Sequence, residues 1–268
     1  MSGKLNIDGR VSIPVVINGD IPDGVDSIIR QDYDDRDYVF VDDCDGIGEH
    51  IEPYILGHPC VEEIRPNLKL LNTIGPSEYT PNGWQLPYVL GLSESTGEYV
   101  LLCNPTESIQ LNTVSVLIDA IGDAPMATFG RDDYNDQLKS AIMNDAEFTW
   151  LEGPVLLRKD VYFRRASQII GQFHYMRFLQ LRMWVEGDIV VVHTDHPYLP
   201  VEDVDIDVIM DNLLQCGYIT EDISPGGKYN YELNNYELRD LSIDLRQRAG
   251  VDGVDILEFT REINYATS

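Results

Sequence analysis

The stretch VDSIIRQDYDDRDYVFVDDCDG, from Val25 to Gly46, contains the pattern that decides the fold. Its first residues have apolar side chains at helical spacing, which predicts a short helix over 25–30. The apolar, β-branched run over 38–41 predicts a buried strand that ends in the acidic turn 42–46. Another such strand is predicted over 11–17. A strand, a helix and a strand joined by short connections predict two parallel strands with a right-handed crossover.

The same alternation continues on both sides of this unit. The sequence predicts further strands over 68–71, 99–103, 155–158 and 188–192, and helices over 47–56, 84–95, 109–121, from 160 and over 173–185. This order predicts an α/β fold with an open, mainly parallel sheet flanked by helices. Ligands bind beyond the carboxyl ends of such strands, so the loops of interest are 18–20, 42–46 and 104–107.

The last part of the chain has a different character. An acidic amphipathic helix is predicted beyond Pro200, and another helix over 236–248. We therefore predict a domain over 1–200 and a mostly helical, acidic C-terminal extension over 201–268.

The charge of the chain is strongly negative. Asp and Glu number 46 against 19 Lys and Arg, a net charge of -27. Such a surface repels phosphate backbones and anionic headgroups, which argues against non-specific binding to nucleic acids or lipids. Adaptation to a salty cytoplasm is an alternative explanation for the same composition. Lysine is rare, at positions 4, 69, 139, 159 and 228.

Several classes of protein are disfavoured by missing patterns. No apolar run approaches the ~20 residues that a membrane span needs, and residues 1–10 lack the apolar stretch of a signal peptide. We therefore expect a cytoplasmic protein. The four cysteines, at 44, 60, 103 and 216, form no CxxC pair and are predicted to be free thiols. No GxGxxG follows the first strand, which disfavours a Rossmann-type dehydrogenase.

Four stretches in order resemble the family 2 glycosyltransferases, which have the GT-A fold. The first is the stretch quoted above, and the others are GLSESTGEYVLLCNPTE (91–107), EGPVLLRKDVYFRRA (152–166) and FLQLRMWVEGDIVVV (178–192). The resemblance covers about residues 11–192. It implies transfer of a sugar from a nucleotide-diphosphate sugar, bound at the carboxyl edge of the sheet, to a glycan or other hydroxyl acceptor.

The resemblance also implies the donor-binding residues. Asp42 and Asp43 stand where the family has paired aspartates, and Asp43 would accept a hydrogen bond from the imide N–H of uracil or thymine. Asn18, Asp45, Asn104 and Thr106 are predicted to complete the donor site. The alternative is that the Asp-Asp turn is a solvated acidic turn before the next helix.

The family's metal-binding Asp-x-Asp motif is degenerate here. It falls on Asn104 and Thr106, which leaves Glu107 as the carboxylate at this loop. A Mn²⁺ or Mg²⁺ ion here would therefore be only weakly held, with Glu107 as the candidate ligand and His193 or Asp195 as candidate helpers. The alternative is that His193 and Asp195 belong to an ordinary loop after the last strand.

The family's base motif is also substituted. Its Glu-Asp pair falls near Tyr175 and Met176, neither of which accepts a proton at neutral pH. His174 is adjacent and is the candidate catalytic base, with a purely structural histidine as the alternative. Two functions follow: an active glycosyltransferase, or a glycosyltransferase-like binding or structural module without activity. The sequence gives no oligomeric state.

Overall fold

The computed structural model describes residues 7–17, 19–43, 51–72, 86–144, 153–165, 175–193, 219–223, 229–233 and 236–251. Within these ranges a seven-stranded sheet has the order β3-β2-β1-β4-β6-β5-β7. Its strands are β1 (Ile7–Ile17), β2 (Arg36–Asp42), β3 (Leu68–Asn72), β4 (Gly97–Leu102), β5 (Met126–Gly130), β6 (Val155–Arg158) and β7 (Val190–His193). A separate antiparallel hairpin consists of β8 (Ile219–Ile223) and β9 (Tyr229–Leu233).

The helices alternate with these strands along most of the chain. They are α1 (Val25–Ile29), α2 (Ile51–Gly57), α3 (Val61–Ile64), α4 (Leu86–Glu94), α5 (Thr113–Ile121), α6 (Tyr134–Asn144), α7 (Lys159–Arg165), α8 (Tyr175–Glu186) and α9 (Tyr236–Ala249). One turn of 3₁₀ helix, Arg65–Asn67, leads into β3.

All neighbouring strands of the large sheet are parallel except β6, which is antiparallel to both β4 and β5. The predicted fold class, an open and mainly parallel sheet with helices, is therefore confirmed. Strand β5 and helix α6 were not predicted, nor was the β8–β9 hairpin. The helix predicted beyond Pro200 lies outside the described residues.

Each face of the sheet carries its own hydrophobic core. Side chains of successive strand residues point to opposite faces, and β4 shows this clearly. Val100 and Leu102 join a cluster with residues of α4, α6, α7 and α8, whereas Leu101 joins a cluster with residues of α1, α2 and α5. The sheet is thus covered on both faces, which leaves its edges and strand ends for function.

Helix α9 packs against α8. Its Leu241, Leu245 and Ala249 are buried in the first of these clusters. An ion pair of 2.5 Å joins Asp244 to Arg182, and the Arg248 guanidinium lies 4.3 Å from the centre of the Trp184 ring. The predicted extension therefore contains a helix that completes a core. The boundary near residue 200 stays a prediction.

A buried polar network joins the middle of β1 to the amino ends of β2 and β4. The Ser12 hydroxyl donates to Asp37 at 2.5 Å and accepts from the backbone N–H of Gly97 at 2.8 Å. The Thr96 hydroxyl donates to the other oxygen of Asp37 at 3.1 Å. These bonds satisfy a buried carboxylate, and they fix this edge of the sheet as structural.

Candidate functional site

The carboxyl ends of the parallel strands form the opposite edge of the sheet. At this edge lies the point where the chain changes the side of β1 on which it adds strands. From β1 the chain builds outward to β2 and β3, and then returns to add β4 on the other side of β1. In open α/β sheets, ligands bind at such a switch point, beyond the carboxyl ends of the strands. Register places Ile17, Asp42 and Asn72 level with one another at the ends of β1, β2 and β3.

Asp42 and Asp43 lie at this edge, where the sequence predicts them. Their exposed fractions are 4% and 2%. The backbone N–H of Asp43 donates to the carbonyl oxygen of Ile17 at 2.9 Å, which extends the pairing of β1 and β2 beyond the last residue of β2. The two aspartates are therefore held in place by the backbone and are buried, unlike a solvated surface turn. Asn18 and Asp45, also predicted for the donor site, lie outside the described residues.

The loop after β4 forms a compact turn. The Asn104 side-chain oxygen accepts from the backbone N–H of Thr106 at 3.1 Å, an arrangement typical of asparagine in turns. The Asn104 side-chain nitrogen lies 3.4 Å from a carboxylate oxygen of Glu107. Asn104 and Thr106 are exposed, and Glu107 is half-buried. Three of the predicted site residues therefore lie together at the end of β4.

Helix α1 and the residues on either side of it hold this loop in position. Gly24, just before the helix, lies so close that a Cβ atom there would be 2.2 Å from the Glu107 carbonyl oxygen. The Ser27 hydroxyl accepts from the backbone N–H of Ile109 at 2.9 Å. The Gln31 side chain donates to the Gln110 carbonyl at 2.8 Å and also accepts from Val114.

The sequence analysis did not identify these loop-holding residues. Gly24 precedes helix α1, Ser27 lies in it and Gln31 follows it. Their partners, about 80 positions away along the chain, are visible only in the fold. The result is a loop whose backbone position is fixed before any ligand arrives.

Among the described residues, the donor atoms after β4 do not fit a divalent cation. Mg²⁺ and Mn²⁺ favour several oxygen ligands, usually including carboxylates, and the end of β4 supplies one carboxylate. In the described parts of the chain, no group of three or more His, Cys, Asp or Glu side chains is arranged to hold a metal ion. Glu107 lies in the loop after β4 and His193 is the last residue of β7, and β6 and β5 separate these two strands. Three strand spacings place those ends about 14 Å apart, and Asp195 lies outside the described residues.

The thiol of Cys103 is unsuited to metal binding or catalysis. Burial, with a smaller contribution from the nearby Glu107 carboxylate, raises the pKa of Cys103 to about 12. Because only the thiolate is a good ligand or nucleophile, this side chain is a neutral thiol at physiological pH.

A cationic side chain that the sequence analysis missed lies at the same edge. Arg131 follows the last residue of β5 and is 77% exposed, with a 3.2 Å ion pair to Asp133. Gly130, its neighbour, is level with His193 at the end of β7. Arg131 is the only Lys or Arg among the described residues that directly follow the carboxyl ends of parallel strands.

The candidate base is placed less completely. Tyr175 and Met176 are the first described residues of helix α8. His174 precedes Tyr175 in the sequence and lies outside the described residues.

Among the described helices, none is both long and apolar enough to cross a membrane.

Solved structures with a similar fold include a mannosyltransferase and S. aureus TarS. The mannosyltransferase PcManGT from Pyrobaculum calidifontis, in complex with GDP-Man and Mn²⁺, has a TM-score of 0.50 and 16% identity over 70% of this chain and 57% of its own. S. aureus TarS has a TM-score of 0.51 and 14% identity over 89% of this chain and 42% of its own. Its 1–349 fragment in complex with UDP has a TM-score of 0.50 and 13% identity over 91% of this chain and 72% of the fragment.

These likenesses show that the chain has the GT-A fold, as predicted. The chain spans less than two thirds of the length of PcManGT and of TarS. No protein-family model matches the sequence, and no curated protein matches it.

Proposed function

We propose that this chain is a glycosyltransferase that transfers a sugar from a nucleotide-diphosphate sugar to a hydroxyl acceptor. The observation that carries the proposal is the buried pair Asp42 and Asp43 at the carboxyl end of β2, beside the switch point of a GT-A sheet. Proteins of this fold in the comparisons were solved with GDP-Man, Mn²⁺ and UDP. The fold alone does not decide function, so the proposal rests on this site.

Each part of the edge has a role in the proposed donor site. Asp43 accepts a hydrogen bond from the imide N–H of uracil or thymine, since an ionised carboxylate is an acceptor only. Asn18, Asp42 and Asp45 complete the nucleoside pocket. Asn104 and Thr106 lie where the diphosphate crosses the end of β4, on a loop that α1 holds in position.

The chemical step needs a base for the acceptor hydroxyl. In the proposed reaction the hydroxyl oxygen attacks the anomeric carbon, its proton passes to the base, and the nucleoside diphosphate leaves with the bonding electron pair. His174, next to the start of α8, is the proposed base. Replacing it by Ala should reduce turnover roughly 10²–10⁴-fold with donor affinity almost unchanged. Equal turnover in both proteins would exclude His174.

A second function has its own observation. The positions that resemble the family's metal and base motifs hold Asn104, Thr106, Tyr175 and Met176, none of which is a carboxylate. A chain that had lost catalysis but kept donor binding would have this composition. Such a binding module predicts tight nucleotide binding without turnover on a broad panel of acceptors.

The experiment that tests the proposal begins with a thermal-shift screen of UDP, GDP, dTDP and their sugar derivatives, since a ligand of the folded state raises its stability. Calorimetry with the best ligand then compares wild type with Asp43→Ala, expected to lose roughly 1–3 kcal/mol of binding free energy. Asp119→Ala, at an exposed position on α5, removes the same charge and should bind as wild type does. Equal affinity of all three proteins would contradict the assigned role of Asp43.

A further inference from the structure

We propose that Arg131, rather than a divalent cation, supplies the positive charge that binds the diphosphate of the donor. This inference rests on the proposed function, because it assigns a ligand group to the same edge of the sheet. Two observations lead to it: the donor atoms after β4 do not fit a metal ion, and a guanidinium follows β5 at the same edge.

The need for a cation follows from the charge of the edge itself. Described residues after the parallel strands include Asp20, Asp23, Asp43, Glu107, Asp132 and Asp133. A diphosphate that enters this surface is repelled, and its negative charge grows as the sugar leaves. A compensating positive group is therefore required for binding and for the step itself.

The other basic side chains with described partners near the strand ends serve the opposite edge of the sheet. Arg36 donates to Glu63 at 2.6 Å, at the amino end of β2. Arg158 ends the antiparallel strand β6, and the adjacent Lys159 donates to the Ser95 carbonyl at 2.5 Å. These side chains have structural roles at the amino ends of the parallel strands. Among the described Lys and Arg residues, this leaves Arg131 at the carboxyl edge of the sheet.

From its position after β5, the Arg131 guanidinium can approach a phosphate group that lies over the end of β4. In the sheet order, β6 alone separates β5 from β4. Two strand spacings correspond to about 10 Å, and an extended arginine side chain spans much of that distance. A guanidinium offers two parallel N–H donors to phosphate oxygens, which a lysine ammonium does not.

The present ion pair of Arg131 does not oppose this role. Its bond to Asp133 joins two exposed side chains, a type of contact that contributes little. The same oxygen of Asp133 also accepts from the Gln137 side chain at 2.6 Å. Asp133 therefore keeps a hydrogen bond when Arg131 turns toward a phosphate, so the exchange of partners costs little free energy.

The test measures binding of UDP and GDP to the full chain by calorimetry, once with EDTA and once with MnCl₂. We expect the dissociation constant of the better ligand to be the same with EDTA as with Mn²⁺. Arg131→Gln should weaken binding by about 10- to 100-fold, the range of a charge-assisted pair of hydrogen bonds. Arg131→Lys should fall between the two, because it keeps the charge and loses the fork.

A matched control separates a local contact from general electrostatics. Lys139→Gln removes the same charge from an exposed position on α6, about one and a half turns into the helix. It should change the affinity less than about 2-fold, since water and salt screen an exposed charge that makes no direct contact with the ligand. The corresponding nucleoside, which lacks phosphate, should bind wild type and Arg131→Gln equally.

The outcomes are distinct. Binding that EDTA abolishes, or an affinity of Arg131→Gln equal to that of wild type, overturns this inference and leaves the proposed function standing. Absence of UDP and GDP binding to wild type, with and without Mn²⁺, overturns both. Equal thermal unfolding of wild type and Arg131→Gln verifies that a loss of affinity is not a loss of fold.

Discussion

Replacing Gly24 by Ala tests whether α1 fixes the loop after β4. Gly24 has φ −71° and ψ −19°, a conformation open to any residue, so alanine there brings no backbone strain. Its Cβ atom would lie 2.2 Å from the carbonyl oxygen of Glu107 and 2.5 Å from that of Pro105. Both atoms belong to the backbone, so the loop itself has to move.

Two opposing effects set the sign of the change. Alanine reduces the freedom of the unfolded chain, which stabilises the fold by about 0.4–1 kcal/mol. Crowding of this kind costs about 1–3 kcal/mol. A displaced loop also weakens the 2.9 Å bond from Ile109 to Ser27, at a cost of about 0.5–1.5 kcal/mol. We expect a net loss of about 2 kcal/mol in the free energy of unfolding, or ~4–8 °C in Tm.

The assay is urea unfolding at a fixed KCl concentration, with Gly57→Ala as the matched control. Gly57 ends α2, and a Cβ atom there would meet nothing within 4 Å. The same substitution should therefore leave stability unchanged or raise it by about 0.4–1 kcal/mol. If Gly24→Ala is as stable as wild type and binds UDP equally well, the loop is not held as described, and the reasoning from its close approach is refuted.

Three other predictions concern charge and titration. The net charge of -27 makes the folded chain repel itself. Salt screens this repulsion, because the Debye length falls from about 10 Å at 0.1 M to about 3 Å at 1 M. Tm should therefore rise across that KCl range, and an unchanged Tm would exclude adaptation to salt. The raised pKa of Cys103, about 12, should make its alkylation by iodoacetamide at pH 8 at least about 100-fold slower in the folded than in the urea-unfolded chain. Peptide mass spectrometry follows the reaction, and equal rates would contradict the raised pKa. Hydrogen bonds from Arg30 and His58 lower the pKa of Asp26, so its stabilising contribution is present above the pKa of the unfolded chain and is lost as pH falls toward the lowered value. Asp26→Asn should then flatten the fall in the urea midpoint between about pH 5 and pH 3, and an equally steep fall would show that Asp26 contributes nothing.

Much of the fold was predictable because its strands are short buried runs between turn residues. The runs at 11–17, 38–41, 68–71 and 155–158 all became strands. Their bounds lie within two residues of the prediction, except that β1 begins four residues earlier, at Ile7. In these segments local propensity and burial favour the same structure, so the sequence pattern suffices.

Strand β5 and helix α6 carried weaker signals. The strand sequence MATFG has no alternation and follows a loop rich in Gly, Asp and Pro. Helix α6 did have a usable pattern: its buried residues Tyr134, Leu138, Ala141 and Ile142 have helical spacing. Recognising that helix would have placed Arg131 at the end of a preceding strand.

The candidate site was predictable only where it lies within one local motif. Asp42, Asp43 and the Asn104 loop were identified from the strands that precede them. The antiparallel direction of β6 and the contact of Gly24 with Glu107 depend on how distant segments meet, which no local pattern records. The distance between Glu107 and His193 likewise depends on strand order, which the local sequence pattern does not record.

The measurement that tests the central claim most directly is transfer of sugar from a nucleotide-diphosphate sugar by the 268-residue chain, with release of the nucleoside diphosphate as the readout. With the donor found in the thermal-shift screen and a panel of hydroxyl acceptors, wild type should release nucleoside diphosphate and form a glycosylated product. Asp43→Ala should need roughly 10- to 100-fold more donor for the same rate. A donor that binds tightly but is never turned over, or a chain that binds no nucleotide at all, would contradict the assignment as a glycosyltransferase.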